Sequence, residues 1–197
     1  MHLTTNEKKA LLTLFKEVTQ HYNANSLSKV LGISRVGTMK ILKKLLREGV
    51  LQSETIGKSI IYTIKLKDDY VRKLIAFLLA DEAQMHKQWK WEFEGLFKEE
   101  RVVILFGSIL RNYKEARDID IAVVLKEDNK KEWDDIKSAI QKKEVVLPKK
   151  IHWIPFLEKN FIENVKKRNK AMIDIVKNSV ILYGQDMYVE MINVTSL

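Results

Sequence analysis

Two runs decide the fold: Arg101-Val102-Val103-Ile104-Leu105-Phe106-Gly107-Ser108 and, nine residues on, Asp118-Ile119-Asp120-Ile121-Ala122-Val123-Val124. Both are rich in β-branched residues, and the spacing predicts a strand, a Gly-Ser turn, a helix and a second strand carrying two acids. Gly107 lets the backbone come close to a ligand, and Ser108 is expected to open a helix whose free N–H groups suit a phosphate. Asp118 and Asp120 lie two apart on a strand, so both point to one face while Ile119 and Ile121 point to the other. Two carboxylates on one face can hold Mg²⁺ against the triphosphate that the helix start receives. This combination predicts a nucleotide site; the plainer alternative is a βαβ unit whose Asp-x-Asp is solvated strand surface.

Residues 101 to about 185 resemble the minimal nucleotidyltransferase domain of the DNA polymerase β superfamily, on the motifs Phe106-Gly107-Ser108-Ile109-Leu110-Arg111 and Arg117-Asp118-Ile119-Asp120-Ile121. The resemblance implies that Asp118 and Asp120 are catalytic and hold Mg²⁺ or Mn²⁺, and that Gly107 and Ser108 seat the phosphates of a nucleoside triphosphate. Arg111 matches a basic position common in small members of the family. The resemblance also implies a third carboxylate on a later strand, which completes the metal site and helps deprotonate an acceptor hydroxyl. The corresponding strand is expected at Lys150-Ile151-His152-Trp153-Ile154-Pro155-Phe156, and it contains no acid. His152 occupies the position. An imidazole there could ligate a metal or act as a base, since it titrates near neutrality; the alternative is that it packs beside Trp153. Glu144 is a further conceivable substitute, unsupported by its spacing.

A chain of 197 residues with 46% apolar content is long enough for one or two small domains with their own cores. The absence of cysteine excludes disulfides, thiolate zinc sites and a cysteine nucleophile. Apolar stretches such as Val102 to Gly107 are far too short for a membrane span, and Met1 to Asn6 lacks a signal-peptide pattern; a cytoplasmic location with no membrane partner is expected. The formal charge of +9 is unevenly spread. Residues 1–67 carry 12 Lys and Arg against 4 acids, whereas residues 68–100 carry 5 against 8 and residues 101–197 carry 18 against 14. The basic excess therefore points to a polyanion partner for the first third.

That first third has the pattern of three helices and a hairpin. Apolar residues at helical spacing predict a helix over Asn6 to Tyr22, a short one from Ser26 to Gly32 with a serine cap, and a third from its cap Ser34 to Glu48, stopped by Gly49. Val50–Thr55 and Ile60–Leu66 read as strands around the turn Ile56-Gly57-Lys58-Ser59. The order resembles a winged helix-turn-helix of the MarR-like and ArsR-like kind over residues 5 to 67, carried by Leu31-Gly32-Ile33-Ser34-Arg35 and Leu45-Leu46-Arg47-Glu48-Gly49-Val50-Leu51. With Val36, Ile41, Leu42 and Leu45 inward on the third helix, Arg35 and Thr38 are expected to meet base edges of double-stranded DNA. Lys40, Lys44 and the wing residue Lys58 are expected on phosphates. A solvated basic face on a protein-interaction module is the alternative.

Residues 68–98 read as an acidic linker helix with Val71, Leu74, Ile75, Leu78 and Leu79 in a stripe; it packs on its flanks or forms a homodimer seam. Later helices are expected over Lys130–Lys143 and within Glu158–Asn178, and a closing strand at Val180–Tyr183. The expected fold class is α+β: a winged helix-turn-helix at 1–67, a linker helix at 68–98, and at 99–197 a polymerase-β-like nucleotidyltransferase domain with a small mixed sheet flanked by helices. The pair of domains resembles archaeal regulators and relatives of toxin–antitoxin antitoxins. Three functions follow as expectations: a DNA-binding transcriptional regulator that binds nucleotide with Mg²⁺, an active nucleotidyltransferase acting on a protein, RNA or small-molecule hydroxyl, and an antitoxin-like module with a separate toxin-like partner.

Overall fold

The computed structural model describes residues 2–195. They form two compact units, Met1–Leu78 and Leu79–Leu197. The first unit contains α1 (Thr5–Lys16), α2 (Ala24–Leu31), α3 (Arg35–Arg47), β1 (Leu51–Ile56) and β2 (Ser59–Ile64), followed by α4 (Asp69–Gln84), within which the division falls. β1 and β2 pair as an antiparallel hairpin. Ala10, Leu11, Phe15, Leu27, Leu31, Leu42, Leu45, Val50 and Tyr62 are buried and make the core. This is the order and packing of a winged helix-turn-helix.

α1 is shorter than its apolar spacing predicts. After Lys16 the chain turns out of the helix, the Glu17 carboxylate accepting from the Thr19 hydroxyl at 2.7 Å, and Tyr22 joins the hairpin, its carbonyl accepting from the Tyr62 N–H at 3.0 Å. α2 is capped by Asn23 and not by Ser26. The Asn23 side chain accepts from the N–H groups of Asn25 and Ser26 at 2.9 Å each, and Ser26 Oγ accepts from the Asn23 N–H in return. Ser34 caps α3 as expected, accepting from the Gly37 N–H at 3.1 Å.

The stretch predicted as one linker helix is broken. α4 ends at Gln84, α5 spans Lys87–Glu92, and a 3₁₀ turn covers Glu94–Leu96. The break lets Trp89, Phe93 and Leu96 turn into the core of the second unit. That unit is built on four strands, β3 (Arg101–Phe106), β4 (Asp118–Leu125), β5 (Lys150–Leu157) and β6 (Val180–Tyr183), in the order β5-β4-β3-β6. β4 and β5 run parallel across the connecting helix α6 (Lys130–Val146), while the other pairs are antiparallel. α7 (Glu158–Lys166), α8 (Lys170–Lys177) and α9 (Gln185–Thr195) complete it.

Alternation along the strands gives the sheet two covered faces. Val103, Leu105, Ile119, Ile121, Val123, Leu125 and Ile151 pack with Trp89, Phe93, Ile136 and Ile140. On the other side Phe161 meets Phe156 and Tyr188 edge-on, with centroids 5.8 and 6.1 Å apart. Burial lifts the Tyr188 hydroxyl far above its ordinary pKa. Arg101, at the start of β3, is only 4% exposed; its guanidinium is held by Glu132 of α6 and donates to the Leu96 carbonyl at 3.4 Å. Pro155 sits within the edge strand β5, opposite Val123. Among the described residues no helix is long and apolar enough to cross a membrane.

Candidate functional site

On β4 the first and third residues are half-buried and the rest of that face is covered, so Asp118 and Asp120 stand at the more open end of the strand. Their strand neighbours follow from the register. Phe106 pairs with Asp120 on one side; His152 pairs with Asp120 and Lys150 with Asp118 on the other. His152 is thereby set beside Asp120, and its Nδ1 lies 3.1 Å from Asp120 Oδ1, with the imidazole largely exposed. A ring N–H donating to the carboxylate accounts for this contact. Glu144 is exposed on α6, away from this strand register.

Gly107 has a role that the sequence did not reveal. Its φ is +84° and ψ −161°, a region essentially closed to side chains. A Cβ built there would fall 2.1 Å from Asp120 Oδ2. The missing side chain thus makes room for the acid. The helix expected after Ser108 is only a 3₁₀ turn over Ser108–Leu110. The Ser108 carbonyl accepts from the N–H groups of Arg111 and Asn112, and the Asn112 side chain then accepts from the Lys114 N–H at 3.1 Å, turning the chain back toward β4 before a longer helix can form. Arg111 is exposed on the loop that follows.

Two carboxylates on one strand face suit a magnesium ion that draws its other ligands from phosphate oxygens. Among the described residues, no group of three or more His, Asp or Glu could hold an ion unaided.

In the first unit, α3 presents an outer stripe of Val36, Lys40, Lys43 and Arg47, all exposed and spaced at helical intervals, with Ser34 and Arg35 exposed at its start and Lys58 at the hairpin turn. Three expectations need correction. Thr38 is fully buried, its hydroxyl donating to the Ser34 carbonyl at 3.1 Å, because Leu42 and Leu45 set the inward phase and Thr38 lies on the same side. Val36, expected inward, is 67% exposed for the same reason. Lys44 turns toward α1, bonding Glu7 at 2.9 Å and donating to the His2 carbonyl at 3.1 Å. Burial alone would raise the Glu7 carboxyl, but bonds from the Thr4 N–H and Lys44 hold it below its ordinary pKa. Lys43 and Arg47, which the sequence leaves on the solvent or DNA side without a specific contact, are exposed as expected and take the outward place that Thr38 and Lys44 do not.

Residues 86–183 match the family model described as nucleotidyltransferase domain. Comparison with curated proteins finds no match. Among solved structures, a mutant of Lactococcus lactis ZitR is similar at 20% identity and TM-score 0.36, over 47% of this chain and 64% of that one. A ZitR mutant in complex with DNA is similar at 20% identity and TM-score 0.35, over 47% and 63%. TrmBL2, described as an archaeal chromatin protein with a novel mode of DNA binding, is similar at 19% identity and TM-score 0.30, over 86% and 68%. The chain spans less than two thirds of the length of these ZitR chains. With the two acids, the Gly-Ser turn and the mixed sheet inside the matched residues, the chain carries a nucleotidyltransferase-family domain behind a winged helix-turn-helix.

Proposed function

We propose that the protein is a DNA-binding transcriptional regulator whose second unit binds a nucleoside triphosphate with Mg²⁺. The observation that carries the nucleotide reading is the close fit of side-chain-free Gly107 against Asp120, which brings a phosphate-seating turn and a carboxylate pair together. Asp118 and Asp120 would hold the ion, which when bound draws charge from the phosphates and orients them. Gly107 and Ser108 seat the phosphates from the β3 side, and exposed Arg111 adds a cation beside them. His152 fixes the Asp120 carboxylate through its Nδ1 contact.

Calorimetry with each of the four triphosphates and Mg²⁺ tests this. Asp118→Asn combined with Asp120→Asn should abolish binding, because the ion loses both charged ligands, and the protein should still fold since neither acid belongs to the core. Equal affinity in wild type and double variant would overturn the assignment.

The DNA reading rests on the outer stripe of α3. Affinity of the full chain for duplex DNA should fall linearly on a log–log plot against salt concentration, as counterion release requires. Lys40→Ala with Lys43→Ala should flatten that slope by about two phosphate contacts and weaken all sequences alike. Arg35→Ala should blur sequence preference, whereas Thr38→Ala should leave it unchanged. Anisotropy that shows no salt dependence would sink this reading.

A further inference from the structure

Four polar side chains share the site face of the second unit in two rungs. Parallel pairing sets Asp118 beside Lys150 and Asp120 beside His152, and strand alternation points all four the same way. The neighbouring Lys149 does not join them: its ammonium donates to the Ala116 carbonyl and lies 5.0 Å over the Tyr113 ring. The strand flanking the carboxylates on the side away from Gly107 therefore offers an exposed cation and an imidazole, and no acid.

Position gives this arrangement a chemical meaning, given the nucleotide reading above. With the outer phosphates seated at Gly107 and Ser108 beside β3, an in-line displacement at the α-phosphorus brings the nucleophile from the opposite side, over β5. A hydroxyl nucleophile has to lose a proton, and β5 supplies no carboxylate to take it, only the His152 imidazole, which is turned to Asp120 through its Nδ1. A nucleophile that is already an oxyanion needs no base and is attracted by a fixed positive charge. We propose that the acceptor at this site is a phosphomonoester bound at Lys150. One of its ionised oxygens bonds to the α-phosphorus, the bond from that phosphorus to the bridging oxygen of the β-phosphate breaks, and pyrophosphate leaves with the electron pair. No proton changes hands, and the product is a phosphoanhydride. Lys150 also offsets repulsion between the incoming anion and the triphosphate.

The test uses the full chain with Mg²⁺, each of the four triphosphates, and glycerol 3-phosphate or glycerol as acceptor, following pyrophosphate and the new phosphoanhydride by ³¹P NMR. Pyrophosphate should appear with glycerol 3-phosphate and not with glycerol. Loss of one charge-assisted contact in Lys150→Glu should raise KM for glycerol 3-phosphate roughly tenfold to a hundredfold, while Lys150→Arg keeps most of the affinity. Nucleotide affinity by calorimetry should be the same in wild type and Lys150→Arg. Without nucleotide or metal, the ³¹P line of glycerol 3-phosphate should broaden with wild type and Lys150→Arg and stay sharp with Lys150→Glu. A 5′-phosphorylated oligonucleotide in the same assay separates a nucleic-acid end from a small acceptor by its kcat/KM. Three results would overturn the proposal: glycerol used as well as its phosphate, line broadening unchanged in Lys150→Glu, or bound nucleotide and bound phosphomonoester with no pyrophosphate. Absent nucleotide binding with intact Lys150-dependent broadening would instead refute the nucleotide reading, and with it the acceptor role.

Discussion

Replacing Gly184 with alanine should destabilise the second unit by roughly 3–5 kcal/mol, combining a positive-φ cost with overpacking against backbone that cannot step aside. Gly184 has φ +80°, and a Cβ there would lie 2.1 Å from the Arg101 carbonyl oxygen and 3.0 Å from Val102 Cα. The residue closes β6 where its register with β3 shifts between Val103 and Ile104, and its carbonyl accepts from the Tyr188 N–H at 2.9 Å to begin α9. Strand, bulge and helix start all depend on this approach. All four tryptophans lie in the second unit, so their fluorescence during urea unfolding follows that unit alone. Gly95→Ala is the control: a Cβ there meets nothing within 4 Å, and the midpoint should barely move. Equal midpoints for the two variants would show that the β6 turn relaxes freely.

The second large effect concerns Arg101 and Glu132. Glu132→Ala leaves a buried guanidinium with the distant Leu96 carbonyl, and stranding such a charge costs about 3 kcal/mol. Hydrogen bonds from Lys98 and then Arg101 hold the Glu132 carboxyl below its ordinary pKa. A lowered folded-state pKa contributes stability that is present above the unfolded-state value, near 4.3 for glutamate, and is lost as pH falls through the folded one. Wild type should therefore lose stability on acidification below about pH 4, and Glu132→Gln should start lower and depend less on pH over that range. Arg101→Met with Glu132→Leu should recover most of the loss, since a packed apolar pair replaces a buried ionic one. A Glu132→Gln profile parallel to wild type would assign the acid sensitivity to other groups.

Much of the fold was legible because alternation and helical spacing are local. β3 to β6 and α6 follow their apolar patterns closely, and His152 was set near the carboxylates through the family resemblance, which implies a site residue on that later strand. What escaped depends on contacts between segments. Thr38 was read as a surface residue because Val36 was counted on the apolar side of α3, but one backbone acceptor four residues earlier satisfies its hydroxyl and lets Leu42 and Leu45 carry it inside. Lys44 looks like any basic residue of α3 until α1 brings Glu7 against it. The partnership of Asp118 with Lys150 needs the parallel register, which no local pattern encodes. The helix expected after Ser108 failed because Asn112 turns the backbone within a few residues.

Pro155 has a consequence for how the molecule meets others of its kind. An edge strand normally offers a row of N–H donors to any extended chain that drifts alongside, which is how sheets recruit strangers and grow into fibres. A proline in β5 removes a donor from the middle of that strand, and the charged Lys150 stands at its beginning. The row is interrupted where a visiting strand would need continuity, so the sheet resists extension beyond β5 while keeping the side chains of its rim exposed to small ligands.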